Sequence, residues 1–84
     1  MNLEFDDNAF EDLRYWVEID RKKAQKIMAL LEEVKRNPFF GTGKPEPLKH
    51  KLEKCWSRRI DQEHRLVYLV EDKGIRILSC RYHY

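Results

Sequence analysis

No stretch of this chain is apolar for long enough to cross a membrane as a helix. The longest unbroken apolar runs are five residues, at 27–31 and 66–70, against the roughly 20 that a spanning helix needs. The N-terminus has no basic segment followed by an apolar one, so a secretory signal is not expected. Cysteine is scarce. Cys55 and Cys80 are too few for a disulfide framework, and their spacing fits no zinc motif. Both are expected as reduced packing residues of a cytoplasmic protein. Proline is absent everywhere except residues 37–47, which hold all three prolines and two of the three glycines. Phosphate-loop, dinucleotide and helical zinc motifs are missing, and no serine or cysteine sits in a recognisable nucleophile setting.

What is present suffices for one small core. The 84 residues are 42% hydrophobic, ten of them aromatic, at a formal net charge of +2. That composition is too apolar for disorder, and the expectation is a single domain over residues 1–84. The net charge hides an asymmetry. Residues 1–20 carry seven acids and one base, and residues 21–84 carry sixteen bases and eight acids. Such a split fits one face turned to an anionic partner, or merely a solvated surface.

Leu3 and Phe5 alternate with polar neighbours, which suggests a first strand. Asp6, Asp7 and Asn8 offer helix-capping oxygens, and Phe10, Leu13, Trp16 and Val17 follow at helical spacing on one expected apolar face. Asp20 can cap a second helix. Ala24, Ile27, Leu30, Leu31 and Val34 form its stripe, and Asn37-Pro38 stops it. After the rigid loop at 37–47 come strands expected at 52–59, 65–71 and 75–84, with turns at 61–63 and 72–74. The order is β-α-α-β-β-β, an α+β domain with two N-terminal helices packed on an antiparallel sheet. Strict alternation in the last strand puts Ile77, Ser79, Arg81 and His83 on one face, and antiparallel pairing brings Arg65 near residues 81–84.

Chemistry-bearing residues gather in the second half. Lys44, Lys49, Lys51, Arg58, Arg59, Arg65 and Arg81, interleaved with Trp56, Tyr68, Tyr82 and Tyr84, form a candidate RNA surface, since arginines hold phosphates and aromatics stack on bases. The bland alternatives stand beside this one. On the residues alone, Glu46 between two prolines reads more readily as a solvated carboxylate and His83 as an exposed end residue, while Arg65 reads equally as an ion-pair partner of Glu63 or Asp61. His50 and His64 are expected as surface or RNA-contact residues. Trp16 is expected in the core.

Four segments in order, at residues 43–50, 56–60, 63–68 and 80–84 (GKPEPLKH, WSRRI, EHRLVY and CRYHY), resemble the YoeB-type toxins of the RelE/ParE toxin–antitoxin superfamily. The resemblance implies a microbial-ribonuclease-like fold. It also implies a small endoribonuclease that cleaves messenger RNA in the ribosomal A site, needs no metal or cofactor, and is neutralised by a YefM-like antitoxin. By the same resemblance Glu46 is the general base, His83 the general acid, Arg65 the phosphate contact and Tyr84 a residue shaping the site, with Lys49 and Arg59 lining it. Proton transfer at the 2′-hydroxyl and the leaving 5′-oxygen would leave 2′,3′-cyclic phosphate and 5′-hydroxyl ends. The partners implied are messenger and ribosomal RNA and the antitoxin; whether the free toxin forms a homodimer is left open by the sequence. Lys22, Lys23 and Lys26 are expected to dock on ribosomal RNA, and the antitoxin to cover or displace the C-terminal end. A gyrase poison of the ParE kind, or a basic RNA-binding module without catalysis, would share the composition but not the cleavage.

Overall fold

The computed structural model describes residues 1–48 and 54–82. The chain runs β1 (Asn2–Phe5), α1 (Asp7–Ile19), α2 (Arg21–Arg36), β2 (Glu46–Pro47), β3 (Cys55–Arg59), β4 (Arg65–Glu71) and β5 (Gly74–Ser79). The five strands form one sheet in the order β1-β5-β4-β3-β2. Four of them make an antiparallel ladder, while β1 pairs parallel to β5, Leu3 opposite Ile75 and Phe5 opposite Ile77. The α+β class expected from the sequence holds. The sheet is mixed rather than antiparallel because the first strand returns to the edge of the last.

Both helices cover one face. Ile27, Leu30, Leu31 and Val34 of α2 pack with Leu66, Tyr68, Ile75, Ile77 and Cys80 of the sheet side in a single core. Asp20 starts α2 as expected, its carboxylate accepting from the Lys23 amide at 3.2 Å. The apolar face of α1 differs from expectation. Ala9 and Trp16 are buried and Leu13 packs on the core, but Phe10 and Val17 are more than half exposed. Trp16 sets that rotation, because its indole Nε1 donates to the Cys80 carbonyl at 2.8 Å. Turning Phe10 inward would break this buried bond.

β5 ends at Ser79, well short of the expected strand over 75–84. A bulge interrupts its pairing with β4, where Tyr68 opposes Ile77 while Val67 opposes Ser79. The extra residue, Leu78, breaks the alternation. Ile77 and Cys80 are both buried against the helices, and Leu78 joins Leu48, Cys55, Val67 and Leu69 in a second cluster on the far face. Cys55 and Cys80 are both buried, and burial pushes the Cys80 thiol up to about 12. Among the described residues no helix is long and apolar enough to cross a membrane.

Candidate active site

Residues directly opposite in a ladder share a face, as do residues two apart in one strand. Glu46 opposes Ser57, and Arg59, two residues on, opposes Arg65. Glu46, Arg59 and Arg65 therefore lie on the sheet face turned away from the helices. The cluster of Leu48, Cys55 and Val67 forms an apolar floor on that face. Glu46 sits two strand spacings, roughly 10 Å, across from the Arg65 strand and about 7 Å along it. Glu46 and Arg59 are exposed and Arg65 is half-buried.

Arg65 is oriented by the turn before it. Its Nη1 donates to the carbonyls of Asp61 at 2.7 Å and His64 at 3.0 Å, with Gln62 at 3.4 Å. Among the described residues all its side-chain bonds run through this one nitrogen, which leaves Nε and Nη2 for an anion. The ion pair with Glu63 or Asp61 considered above does not form; the Asp61 carboxylate is engaged by Lys23 and accepts from the amides of Glu63 at 2.8 Å and His64 at 2.7 Å. Burial pushes the Asp61 carboxyl up, but the Lys23 ammonium and the two amides outweigh it and hold it at about 2. Lys23 is raised, mainly by its bond to Asp61, and its ammonium lies 5.6 Å from the Trp16 ring. Lys23 is thus a structural cation rather than a free docking charge.

The loop before Glu46 is clamped from inside. Arg58, expected on the RNA surface, is fully buried on the helix side. In β3 it shares a face with Trp56, opposite to Arg59. Its guanidinium donates to the carbonyls of Asn37 at 2.6 Å, Phe40 at 2.8 Å and Thr42 at 3.3 Å. It also meets Glu33 at 3.4 Å and the Tyr68 hydroxyl at 3.2 Å, while that hydroxyl donates to the Pro38 carbonyl at 2.5 Å. Bonds from the Thr42 hydroxyl and amide pull the Glu33 carboxyl below its usual range. Gly43, at φ +85°, accepts from the Arg59 amide at 2.6 Å, and a Cβ there would crowd the Arg59 carbonyl. Lys44, at φ 50°, then turns the chain into β2 with its side chain exposed.

Arg81 also departs from expectation. Its guanidinium lies 3.6 Å from the Tyr15 ring of α1 and 4.6 Å from Tyr82, whose hydroxyl accepts from Nη2 at 2.8 Å. The bulge and the end of β5 carry its side chain to the α1 side, onto Tyr15. Proximity of Arg65 to the C-terminal segment is found, its amide donating to the Tyr82 carbonyl at 3.0 Å. His64, expected on the surface, is 8% exposed and packs edge-on to Trp16, centroids 4.7 Å apart. Its burial was readable only by placing the turn against α1. His83, Tyr84, Lys49 and Lys51 lie outside the described residues. Among the described residues no three His, Cys, Asp or Glu side chains gather to hold a metal.

Two helices on a five-stranded mixed sheet, with an open charged face opposite them, is the architecture of the small RelE/ParE toxins. The YafQ toxin of Escherichia coli, in its complex with DinJ, superposes with a TM-score of 0.72 at 20% identity, a likeness of fold alone. Sequence is more specific: residues 5–84 match the family described as "YoeB-like toxin of bacterial type II toxin-antitoxin system", and the chain belongs to that family. It is 50% identical to Toxin YoeB of Escherichia coli K12 over 84 residues, the whole of both chains. The YoeB/ParE toxin from Agrobacterium tumefaciens superposes over the whole of both chains with a TM-score of 0.94 at 42% identity. YoeB from Staphylococcus aureus, solved as a dimer and in complex with YefM, gives TM-scores of 0.91 and 0.88 at 49% and 48% identity, over all of this chain and 98% of that one.

Proposed function

We propose that this toxin is a ribosome-dependent endoribonuclease that cuts messenger RNA in the A site. The observation that supports it best is the sharing of one open sheet face by Glu46, Arg59 and Arg65, with the segment leading to His83 bonded to the Arg65 backbone. A carboxylate on one side and guanidinium groups on the other suit a ribose–phosphate unit lying between them. Glu46 takes the proton of the 2′-hydroxyl, whose oxygen attacks the neighbouring phosphorus. His83 gives a proton to the departing 5′-oxygen. Arg65, through Nε and Nη2, and Arg59 stabilise the charge that grows on the phosphoryl oxygens. Lys49 and Tyr84 complete the site in this reading, and Lys44 and Lys51 follow the RNA backbone. The products are a 2′,3′-cyclic phosphate and a 5′-hydroxyl, and the chemistry uses no metal.

The protein acts in the cytoplasm and docks on ribosomal RNA through its basic surface. It is neutralised by a YefM-like antitoxin and forms homodimers when free, by similarity to the Staphylococcus aureus protein, which is solved as a dimer and with YefM. Primer extension on a defined messenger in a purified translation system tests the reaction. A stop within the A-site codon that needs both ribosome and toxin is expected. Intact messenger with double-strand breaks in DNA would replace this reading with gyrase poisoning.

A further inference from the structure

The described C-terminal segment, residues 80–82, has left the sheet, so its backbone polar groups need other partners. They find most of them on side chains. The Cys80 amide donates to Asp12 Oδ2 at 3.0 Å and the Cys80 carbonyl accepts from Trp16 Nε1 at 2.8 Å. The Tyr82 amide donates to His64 Nδ1 at 2.7 Å, and the Tyr82 carbonyl accepts from the Arg65 amide. Tyr82 also adopts φ +64°, a left-handed conformation that a tyrosine holds only when its surroundings impose it. Among the described residues, the side-chain contact to the backbone that lies nearest in sequence to His83 is the one from His64. That imidazole is itself fixed, packed edge-on against Trp16 at 4.7 Å and tilted against Tyr82 at 5.4 Å. Its own backbone amide is bonded to Asp61.

We propose that His64 is a positioning residue for catalysis: its Nδ1 holds the Tyr82 amide and so fixes the direction in which the chain delivers His83 to the phosphate. The proposal rests on the reading of His83 as general acid. As an acceptor Nδ1 carries no proton, so the neutral ring keeps its hydrogen on Nε2. His64 touches no substrate in this scheme. It acts by geometry, and misplacement of a catalytic group by about 1 Å costs on the order of 100-fold in rate.

Two substitutions separate the ring from the acceptor. His64→Phe keeps an aromatic ring between Trp16 and Tyr82 and removes the acceptor. His64→Asn supplies an amide oxygen near the Nδ1 position without the ring. At saturating ribosomes kcat is expected to fall about 10–100-fold in His64→Phe with KM nearly unchanged, and to recover largely in His64→Asn. Amide hydrogen exchange at Tyr82 reads the anchor directly, slow in the wild type and His64→Asn and fast in His64→Phe. In a His83→Ala background, His64→Phe should cost nothing further. Thermal melts screen each variant, and His64→Met replaces the phenylalanine variant if that one does not fold. Wild-type kcat in the acceptor-less variant, with His83→Ala impaired, overturns this proposal alone. So does slow Tyr82 exchange in His64→Asn without recovery of kcat. Wild-type kcat in His83→Ala overturns the underlying reading and the proposal with it.

Discussion

Arg59 and Arg65 stand directly opposite each other across the β3–β4 ladder. Like charges in that relation destabilise a sheet. The face that carries Glu46 is thus under electrostatic tension that a bound phosphate would relieve. Arg59→Thr is expected to raise stability by about 0.2–1 kcal/mol at low salt, or a few degrees in Tm, while cleavage falls. Thermal melts with salt titration check the first effect, since screening should erase it. A lowered Tm at low salt would show that the pair is not repulsive in the folded protein.

Glu46 and His83 are expected to carry proton transfer. Single-turnover cleavage on ribosomes should drop by about 10²–10⁴-fold in Glu46→Gln and in His83→Ala, with unchanged melts. Full rates in both folded variants would remove the acid–base assignment.

Removing the Arg58 guanidinium strands the carbonyls of Asn37, Phe40 and Thr42 and leaves Glu33 without its buried cation. Arg58→Met should cost about 3–5 kcal/mol in urea unfolding, a large part of the stability of a domain this size. A loss under about 1 kcal/mol would mean that the loop at 37–43 holds itself.

The Asp61 carboxyl, held at about 2 against an ordinary 3.8, links stability to acid. A depressed carboxylate contributes fully above its unfolded pKa and loses that contribution as pH falls toward the folded value. Stability should therefore decline between about pH 4 and 2, by about 1–2 kcal/mol once solvent screening is allowed for. Asp61→Asn should be less stable at neutral pH and show a shallower decline over that window. Denaturant melts from pH 2 to 5 give the comparison.

Lys22 and Lys26 are exposed, whereas Lys23 is paired with Asp61. Reversing Lys22 and Lys26 should weaken ribosome binding and flatten its salt dependence without changing the melt. Reversing Lys23 should lower the melt. Unchanged ribosome affinity in the Lys22 and Lys26 variant would place docking on another face.

The sequence made the helices and β4 legible because each rests on a local pattern. Asp20 caps, Asn37-Pro38 stops, and residues 65–71 are rich in β-branched and aromatic residues. It was silent where the deciding partner is distant. Phe10 fits the helical stripe, yet the bond from Trp16 to Cys80, 64 positions away, turns it outward. No local cue announces that Leu78 is the extra residue of a bulge, after which the Arg81 side chain packs on Tyr15 of α1. Arg58 was the more readable error. It shares the strand face of Trp56, opposite to Arg59, so period two already set it against the helices. Glu46 and Arg65 could be named from the motifs, but their common face depends on a two-residue strand, Glu46–Pro47, too short to show as a pattern.

Parallel pairing of β1 with β5 has a consequence for assembly. Leu3 and Ile75 meet across nearly the whole chain, and until residues 74–79 exist β1 has no neighbour and β4 lacks one of its two. Closing so long a loop is entropically costly and pushes folding toward the slow end for small domains. During synthesis the helical hairpin and the β3–β4 ladder can form early, but the sheet cannot be completed before its second-to-edge strand has been made. A nascent chain short of residue 74 is thus without its finished core, and the segment at 80–82 that leads to His83 is docked last.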